Sequence, residues 1–524
     1  MPLTPQLLNK LNHAIVTRSV SQGLELLRRA SKDLEKLTPA DTQAAAYLVC
    51  LAQWVDVGYQ NLEYLNELIR PFMEMPRAEM PFSDYIRLRL AEAYRAFLSE
   101  DMAGAASILN FVAQIEPEIV EPQLMVLAHY WKGRVHRRQG EYEPALHHIQ
   151  EAKRLAQRMG APRLAAVASI HEGWLLFQRG QRRDALRLLN EAEAELKSTG
   201  HALSLGNIES ARGRFVRRSG EYTKALGHFE RAVQIYGEQF GEHPNMARAL
   251  VNSAYVKRLI ALDLLQRYRS GRAKAAEHVR YLEICHEALD LLRRASDIYS
   301  RLHHQAGTGS VLVNAGHLHL DTGDFGRAED EAKKAFSLAE EKQDHILMAR
   351  SRILQATIQN ERSEEEGGES PNIAAYAHLA LSYAEDAIAW ARLTQNNHLL
   401  AGAYVIRGSI ATNDFFQDWE AAKHFAALAG ERLGKDDLDH LSKQLSSLKR
   451  RILKATGIDE MLRSWSEGIV GDKSFQQVTE EFAELVIPKV WIREGRKIAR
   501  VSEVLSISPK KVRRILKSVN MLKP

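Results

Sequence analysis

Four stretches of this chain superimpose without a gap: GEYEPALHHIQEA from Gly140, GQRRDALRLLNEA from Gly180, GEYTKALGHFERA from Gly220 and GDFGRAEDEAKKA from Gly323. Each opens on Gly, places Ala five residues later and another Ala seven beyond that. The first alanines are Ala145, Ala185, Ala225 and Ala328; the second are Ala152, Ala192, Ala232 and Ala335. Further units fit at Ala105 (with Val112), Ala288/Ala295, Ala380/Ala387 and Ala422/Ala429. From Ala105 through Ala145 and Ala185 to Ala225 every step is 40 residues, and a step of 40 returns between Ala288 and Ala328. A period of that size means stacked supersecondary units, each burying its apolar face on its neighbours. Small residues at fixed positions let helix backbones approach closely, so the pattern predicts stacked helical hairpins and an all-α chain.

Seven residues before each turn glycine stands another small residue: Gly133, Gly173, Gly213 and Gly316. Together these features resemble the tetratricopeptide repeat (TPR), whose first helix carries a small residue followed by a turn Gly, an aromatic and the alanines of the second helix. Tyr142, Tyr222 and Phe325 fill the aromatic slot, and Arg182 departs from it. The period exceeds the usual ~34 residues, as in the extended-helix variants of bacterial regulators and peptide receptors. The resemblance covers roughly residues 80–432, and four of its eight units match well. It implies a right-handed superhelix of about eight to ten helical hairpins, with TPR-like helices continuing upstream through residues 5–72. The expected segments are an N-terminal helical cap (1–80), the array (81–434), a capping or dimerising helix with a linker (435–474), and a small C-terminal module (475–524).

Two insertions break the period. The first, around QRYRSGRAKAAEHVR (266–280), keeps helical periodicity on both sides and predicts one hairpin near 255–295 lengthened by about three turns per helix. Its tip carries Arg267, Arg269, Arg272, Lys274 and Arg280, either as a solvated surface or as a contact for nucleic acid or an acidic partner. The second, ERSEEEGGESP (361–371), is acidic and ends on proline, which predicts a flexible loop.

First helices line the groove of a TPR superhelix. Counted from the small residue, the groove-facing positions include Arg134, Arg137 and Arg138, then Trp174 and Phe177, then Arg214, Arg217 and Arg218, with Lys257 and Arg258 if Ala254 takes the small-residue slot. Basic residues flanking an aromatic step suit an acidic peptide, a terminal carboxylate or a phosphate. Asn252 and Asn314, each two residues before a small residue, match the position that holds a ligand's backbone amides in TPR peptide receptors. Solvated helix surface is the alternative for all of these side chains.

Net charge is unevenly spread. Residues 482–524 carry six Lys and five Arg against three Glu, whereas the rest of the chain has three more acidic than basic residues. A basic terminus points to an anionic partner. Its sequence IARVSEVLSISPKKVRRILK fits a short helix, a tight turn and a second helix: Val501 and Leu505 inward, Ser502 at the crossing, Ser506 in the turn, Ile507 at the corner, Val512 and Ile515 as anchors. Ser508-Pro509 is a helix-start signal. The second helix would expose Lys510, Lys511, Arg513, Arg514 and Lys517, with Arg500 on the first. The segment resembles the C-terminal helix-turn-helix of the Fis family at Gly495, Ser502, Ser506-Ile507-Ser508 and Lys510–Lys517, departing at Ser506 for Gly and by a loop one residue longer after Gly495. The resemblance implies duplex DNA as partner, read from the major groove. Packing of this pair onto the array is the alternative. Upstream, Leu438, Leu441, Leu445, Leu448 and Ile452 form a short heptad seam, for a capping helix or a homodimer contact.

Other classes find no support. No phosphate-binding GxxxxGK[ST] loop and no HExxH occurs. Cys50 and Cys285 cannot build a disulfide framework or a four-ligand zinc site. With 45 % hydrophobic and 26 % charged residues the chain is globular in composition, and no apolar run is long enough to span a membrane. The expectation is a non-enzymatic, cofactor-free, cytoplasmic protein of bacterial type, nucleoid-associated when DNA-bound. Its array would sense a peptide, protein or small ligand, and its tail would bind DNA as a transcription regulator. The alternative is a TPR scaffold or adaptor whose basic tail serves as an interaction segment.

Overall fold

The computed structural model describes residues 3–522 apart from 116–118, 270–274, 303, 367–371, 435, 456–467, 469–473 and 520. No strand occurs among the described residues, and no helix there is long and apolar enough to cross a membrane. The chain forms two compact units, Met1–Leu445 and Ser446–Pro524.

The first unit is a run of antiparallel helical hairpins, ten among the described residues. They are α1 (Pro5–Val16) with α2 (Val20–Leu34), α3 (Ala44–Asp56) with α4 (Leu62–Met73), α5 (Phe82–Leu98) with α6 (Met102–Ala113), α7 (Pro122–Gln139) with α8 (Tyr142–Arg158), and α9 (Pro162–Gln178) with α10 (Arg182–Leu196). Then come α11 (Ala202–Arg218) with α12 (Tyr222–Phe240), α13 (Pro244–Arg269) with α14 (Ala275–Arg301), α15 (Gln305–Asp321) with α16 (Phe325–Glu341), α17 (His345–Glu366) with α18 (Ile373–Leu393), and α19 (Asn397–Ala411) with α20 (Trp419–Arg432). A further helix, α21 (His440–Ala455), follows.

The repeat signature has a direct geometric cause. A Cβ on Gly133 would lie 3.1 Å from the carbonyl oxygen of Ala145, one on Gly173 3.1 Å from that of Ala185, and one on Gly316 3.3 Å from that of Ala328. In these three hairpins the small residue of the first helix therefore meets the backbone of the first alanine of the second. Gly140, Gly180, Gly220 and Gly323 end the first helices at φ of 76° to 83°, the left-handed conformation that glycine adopts without a Cβ clash. Ala145, Ala152, Ala185, Ala192, Ala225, Ala232, Ala328 and Ala335 are buried throughout.

First helices of neighbouring hairpins touch one another: α5 with α7, α9 with α11, α11 with α13, α13 with α15, α15 with α17 and α17 with α19. They therefore pave the inner surface of the coil. The coil also returns upon itself. The Gln395 amide donates to the Gly140 carbonyl at 3.2 Å, and Gln395 Oε1 accepts from the Glu143 amide. The Leu438 amide donates to the Arg218 carbonyl at 2.8 Å, and Arg163 Nη1 donates to the Thr17 carbonyl at 2.8 Å.

The lengthened hairpin is α13 and α14, of 26 and 27 residues. Of its basic tip, Arg272 and Lys274 lie outside the described residues, and Arg280 is ion-paired with Glu283 and Glu287. The acidic insertion is not a loop over its first six residues. Glu361 to Glu366 continue α17, because glutamate is a good helix former; residues 367–371 lie outside the described ones. The heptad seam begins later than its spacing suggests. Leu438 is 62 % exposed and precedes α21, whose start is fixed by the Asp439 carboxylate accepting from the Ser442 amide, while Leu445, Leu448 and Ile452 are buried. Gly457 and Gly471 of the expected linker lie outside the described residues.

The second unit holds α22 (Phe475–Arg493), α23 (Ile498–Leu505) and α24 (Pro509–Ser518). Its core joins Ala483, Ile487 and Val490 of α22 to Val501 of α23 and Val512, Ile515 and Leu516 of α24. Ser474 and Gln477 form a reciprocal capping box at the start of α22.

Candidate functional site

The arginines singled out on the first helices divide by their partners. Arg134 is fixed: its Nη1 donates to both carboxylate oxygens of Asp56 at 2.6 Å, while Tyr94 and Trp131 donate to the same carboxylate at 2.9 and 3.2 Å. Burial alone would raise the Asp56 carboxyl, and these donors, Arg134 foremost, overturn that and hold it below its ordinary value. Arg138 lies 3.5 Å from Glu100. Arg258 is ion-paired with Asp321 and Lys257 with Glu287. Arg218 is buried, donating to Gln178 at 3.2 Å with its guanidinium over Phe177.

Arg137, Arg214 and Arg217 have no carboxylate at ion-pair distance among the described residues. Two arginines that the repeat register did not single out, Arg248 of α13 and Arg350 of α17, share that condition. Arg137 lies within electrostatic reach of Arg248, Arg134 and Arg214; Arg214 within reach of Arg248 and Arg217; Arg350 within reach of Arg217. Burial and these like charges push the Arg137 and Arg214 guanidinium groups down to about 9. Such side chains line an interior surface that water reaches but protein surrounds.

Several aromatic faces orient the charges. The Arg137 guanidinium sits 5.2 Å over Trp174, and that of Arg217 sits 4.8 Å over Tyr255. Trp174 packs edge-on against Tyr142, and its indole nitrogen is buried without a partner. Histidines around the cluster are kept neutral. Burial, with Arg248 adding, lowers His243 to about 4; burial, with Arg138 and Arg248 adding, lowers His304 to about 3. The interior therefore concentrates positive charge from α7, α11, α13 and α17 and gives it few anions in return. Chemically it can hold a ligand rich in negative charge.

The two asparagines are not brought into this cluster as free amides. Asn252 Nδ2 donates to the Arg248 carbonyl at 2.8 Å and Asn314 Nδ2 to the Ser310 carbonyl at 2.7 Å, each four residues back on its own helix, and Asn314 is buried. Arg248 lies seven residues before Tyr255, two turns up the same face of α13; a register extended by one heptad would have found it.

In the second unit α24 starts on Ser508, whose hydroxyl accepts from the Lys511 amide at 3.2 Å, with Pro509 at its first position. Ser506 ends α23 at φ 52°, ψ 39°, in the left-handed region. Val512, Ile515 and Leu516 face the core, which leaves Lys510, Arg513, Arg514 and Lys517 exposed and Lys511 half-buried; Arg500 of α23 is exposed as well. Arg514 is ion-paired with Glu480 of α22. Lys510, Lys511, Arg513, Lys517 and Arg500 have no ion pair among the described residues.

A family model for the tetratricopeptide repeat matches residues 309–342, which span α15 and α16. No curated protein matches the sequence. Among solved structures, the Rap protein complexed with competence and sporulation factor is similar at 13 % identity and a TM-score of 0.49, covering 78 % of this chain and 100 % of that one. The apo form of the quorum sensor NprR from B. thuringiensis is similar at 13 % identity and a TM-score of 0.44, covering 78 % of this chain and 100 % of that one. The human IFIT1 dimer with m7Gppp-AAAA is similar at 12 % identity and a TM-score of 0.45, covering 82 % of this chain and 95 % of that one.

Proposed function

We propose that this chain is a non-enzymatic, DNA-binding transcription regulator whose hairpin array takes up an anionic ligand and whose C-terminal helices contact duplex DNA. The observation that carries the reading is α24: an N-capped helix with one apolar face in a small core and an opposite face of Lys510, Arg513 and Lys517, all uncompensated. Such a face neutralises phosphates and reaches guanine edges when the helix enters the major groove.

The array supplies a means of control. Arg217 of the interior cluster is followed by Arg218, whose carbonyl holds the Leu438 amide. The next residue, Asp439, accepts from His398 Nε2 at 2.8 Å and caps α21. Burial would raise its carboxyl, but His398, with Arg217 adding, holds it down to about 2. A ligand that shifts Arg217 acts on Asp439, the residue that caps α21.

The test is a salt titration of duplex binding by the full chain. Phosphate contacts predict a steep loss of affinity with salt. Lys510→Ala/Arg513→Ala/Lys517→Ala should reduce affinity at least tenfold and flatten the slope by about three phosphate contacts. Removal of residues 474–524 should abolish binding. If the shortened chain binds DNA as well as the full one, the assignment of the tail fails.

A further inference from the structure

The interior arginine cluster is convergent rather than linear. Arg248 stands within electrostatic reach of Arg137, Arg138 and Arg214, which come from first helices three hairpins and one hairpin before its own. An extended acidic peptide would place successive same-side carboxylates about 7 Å apart along a line, and each would bring a single charge. Around Arg248 like charges from α7, α11 and α13 instead come within electrostatic reach of one another, and Arg217 and Arg350 continue the charge.

The guanidinium groups are also prepared for oxyanions. Where Trp174 and Tyr255 cover the faces of Arg137 and Arg217, the N–H edges stay free for in-plane, forked bonds of the kind phosphate oxygens accept. Nearby carboxylates are engaged elsewhere: Asp56 by Arg134, Glu100 beside Arg138, Asp321 by Arg258, Asp439 by His398, and Asp344, within electrostatic reach of Arg350 and Arg138, by the Leu347 amide. The cluster therefore lacks several negative charges at one place, more than a terminal carboxylate supplies.

From this we infer that the ligand of the array is a small molecule carrying two or more phosphate groups, such as a nucleoside polyphosphate, seated on Arg137, Arg214 and Arg248 with Arg217 and Arg350 alongside. The inference rests on the proposed role of the interior as the ligand site, and it stands or falls independently of DNA binding by the tail.

The experiment measures binding to the full-length protein by calorimetry at fixed ionic strength, with four probes: inorganic monophosphate, inorganic triphosphate, ATP and a hexaglutamate peptide. Triphosphate and ATP should bind at least tenfold more tightly than monophosphate or the peptide. Arg137→Ala/Arg214→Ala/Arg248→Ala should lose that affinity at least tenfold. The change removes mutually repelling charges, so the variant should keep its helical circular dichroism and melting temperature. A second variant, Arg137→Lys/Arg214→Lys/Arg248→Lys, keeps charge without the fork and should bind with intermediate affinity. The tail variant Lys510→Ala/Arg513→Ala/Lys517→Ala should bind triphosphate like the parent.

Tighter binding of hexaglutamate than of triphosphate would overturn the inference in favour of a peptide. Loss of anion binding in the tail variant, with retention in the interior variant, would overturn it as well, as would equal affinity for monophosphate and triphosphate. A protein that binds triphosphate in its interior but shows no DNA binding upholds the inference and sinks the regulator reading instead.

Discussion

Asp56 shows how much of the array's order hangs on single buried side chains. It accepts from Tyr94, Trp131 and, through both oxygens, from Arg134 Nη1, joining three hairpins at one carboxylate. Asp56→Ala would leave the Arg134 guanidinium inside without its counter-ion, and we expect a loss of about 3–5 kcal/mol in urea unfolding. His201 offers the opposite experiment. It is 3 % exposed, neither ring nitrogen has a partner, and burial, with Arg18 adding, lowers it to about 3. The unfolded chain takes up that proton near pH 6.5 and the folded chain does not. Its contribution therefore disfavours folding progressively as pH falls from about 6.5 to about 3. We expect His201→Leu to raise the melting temperature at pH 5 more than at pH 8, and equal gains at both pH values would show that the ring is solvated. Neither residue carries a signal in the sequence: the Asp56 partner Arg134 lies 78 residues away, and nothing in a local window connects them.

At the scale of the element, the glycines separate two mechanisms that one residue type serves. Gly133 has no room: a Cβ would meet Ile149 at 2.7 Å and the Ala145 carbonyl at 3.1 Å, and a backbone carbonyl cannot step aside. Gly133→Val should cost about 1–3 kcal/mol by overpacking. Gly180 has open space but a φ of 83°, so Gly180→Ala should cost about 1–2 kcal/mol from backbone strain alone. Thermal melts of the two variants, with Gly180→Asn as a milder left-handed substitute, distinguish the causes. In the tail a non-glycine residue occupies the glycine conformation. Ser506 holds φ 52°, and Ser506→Gly should stabilise the second unit by about 0.5–1 kcal/mol, seen as slower hydrogen exchange across 498–518. These elements were legible in the sequence because their causes are local. Gly133 and Ala145 are twelve residues apart and recur, and Ser508-Pro509 marks a helix start by chemistry that needs no neighbours. The acidic stretch at 361–366 differs from the loop expected for 361–371, because acidity, glycine and the closing proline suggest a loop whereas helix propensity and the preceding helix decide the conformation of its first six residues.

Over the whole array, electrostatics depends on how the coil closes. Arg248 and Arg350 gain meaning from Arg137, Arg214 and Arg217 on helices of other hairpins, so the repeat register points to three of the five arginines and cannot show that they come together. Asn252 and Asn314 lay in a recognisable register, yet their amides serve the helix backbone. The cluster also predicts a global response. Because its charges repel and lack counter-ions, any anion that occupies it stabilises the folded array by mass action, about 2.7 kcal/mol at a hundredfold excess over the dissociation constant. We expect millimolar triphosphate to raise the melting temperature of the parent protein and to leave that of Arg137→Ala/Arg214→Ala/Arg248→Ala unchanged.

A solenoid whose units touch only their neighbours melts piecemeal, and its stability is close to a sum over units and interfaces. The meeting of Gly140 with Gln395 makes this one a clasped spring. Opening that clasp releases the fourth hairpin and the approach to the tenth at the same time, so the span between them should unfold as one cooperative block. The clasp also joins residues distant in sequence, a pairing that forms late and slowly. During synthesis the clasp cannot form until the chain has been made as far as Gln395, so the span it closes stays open until then.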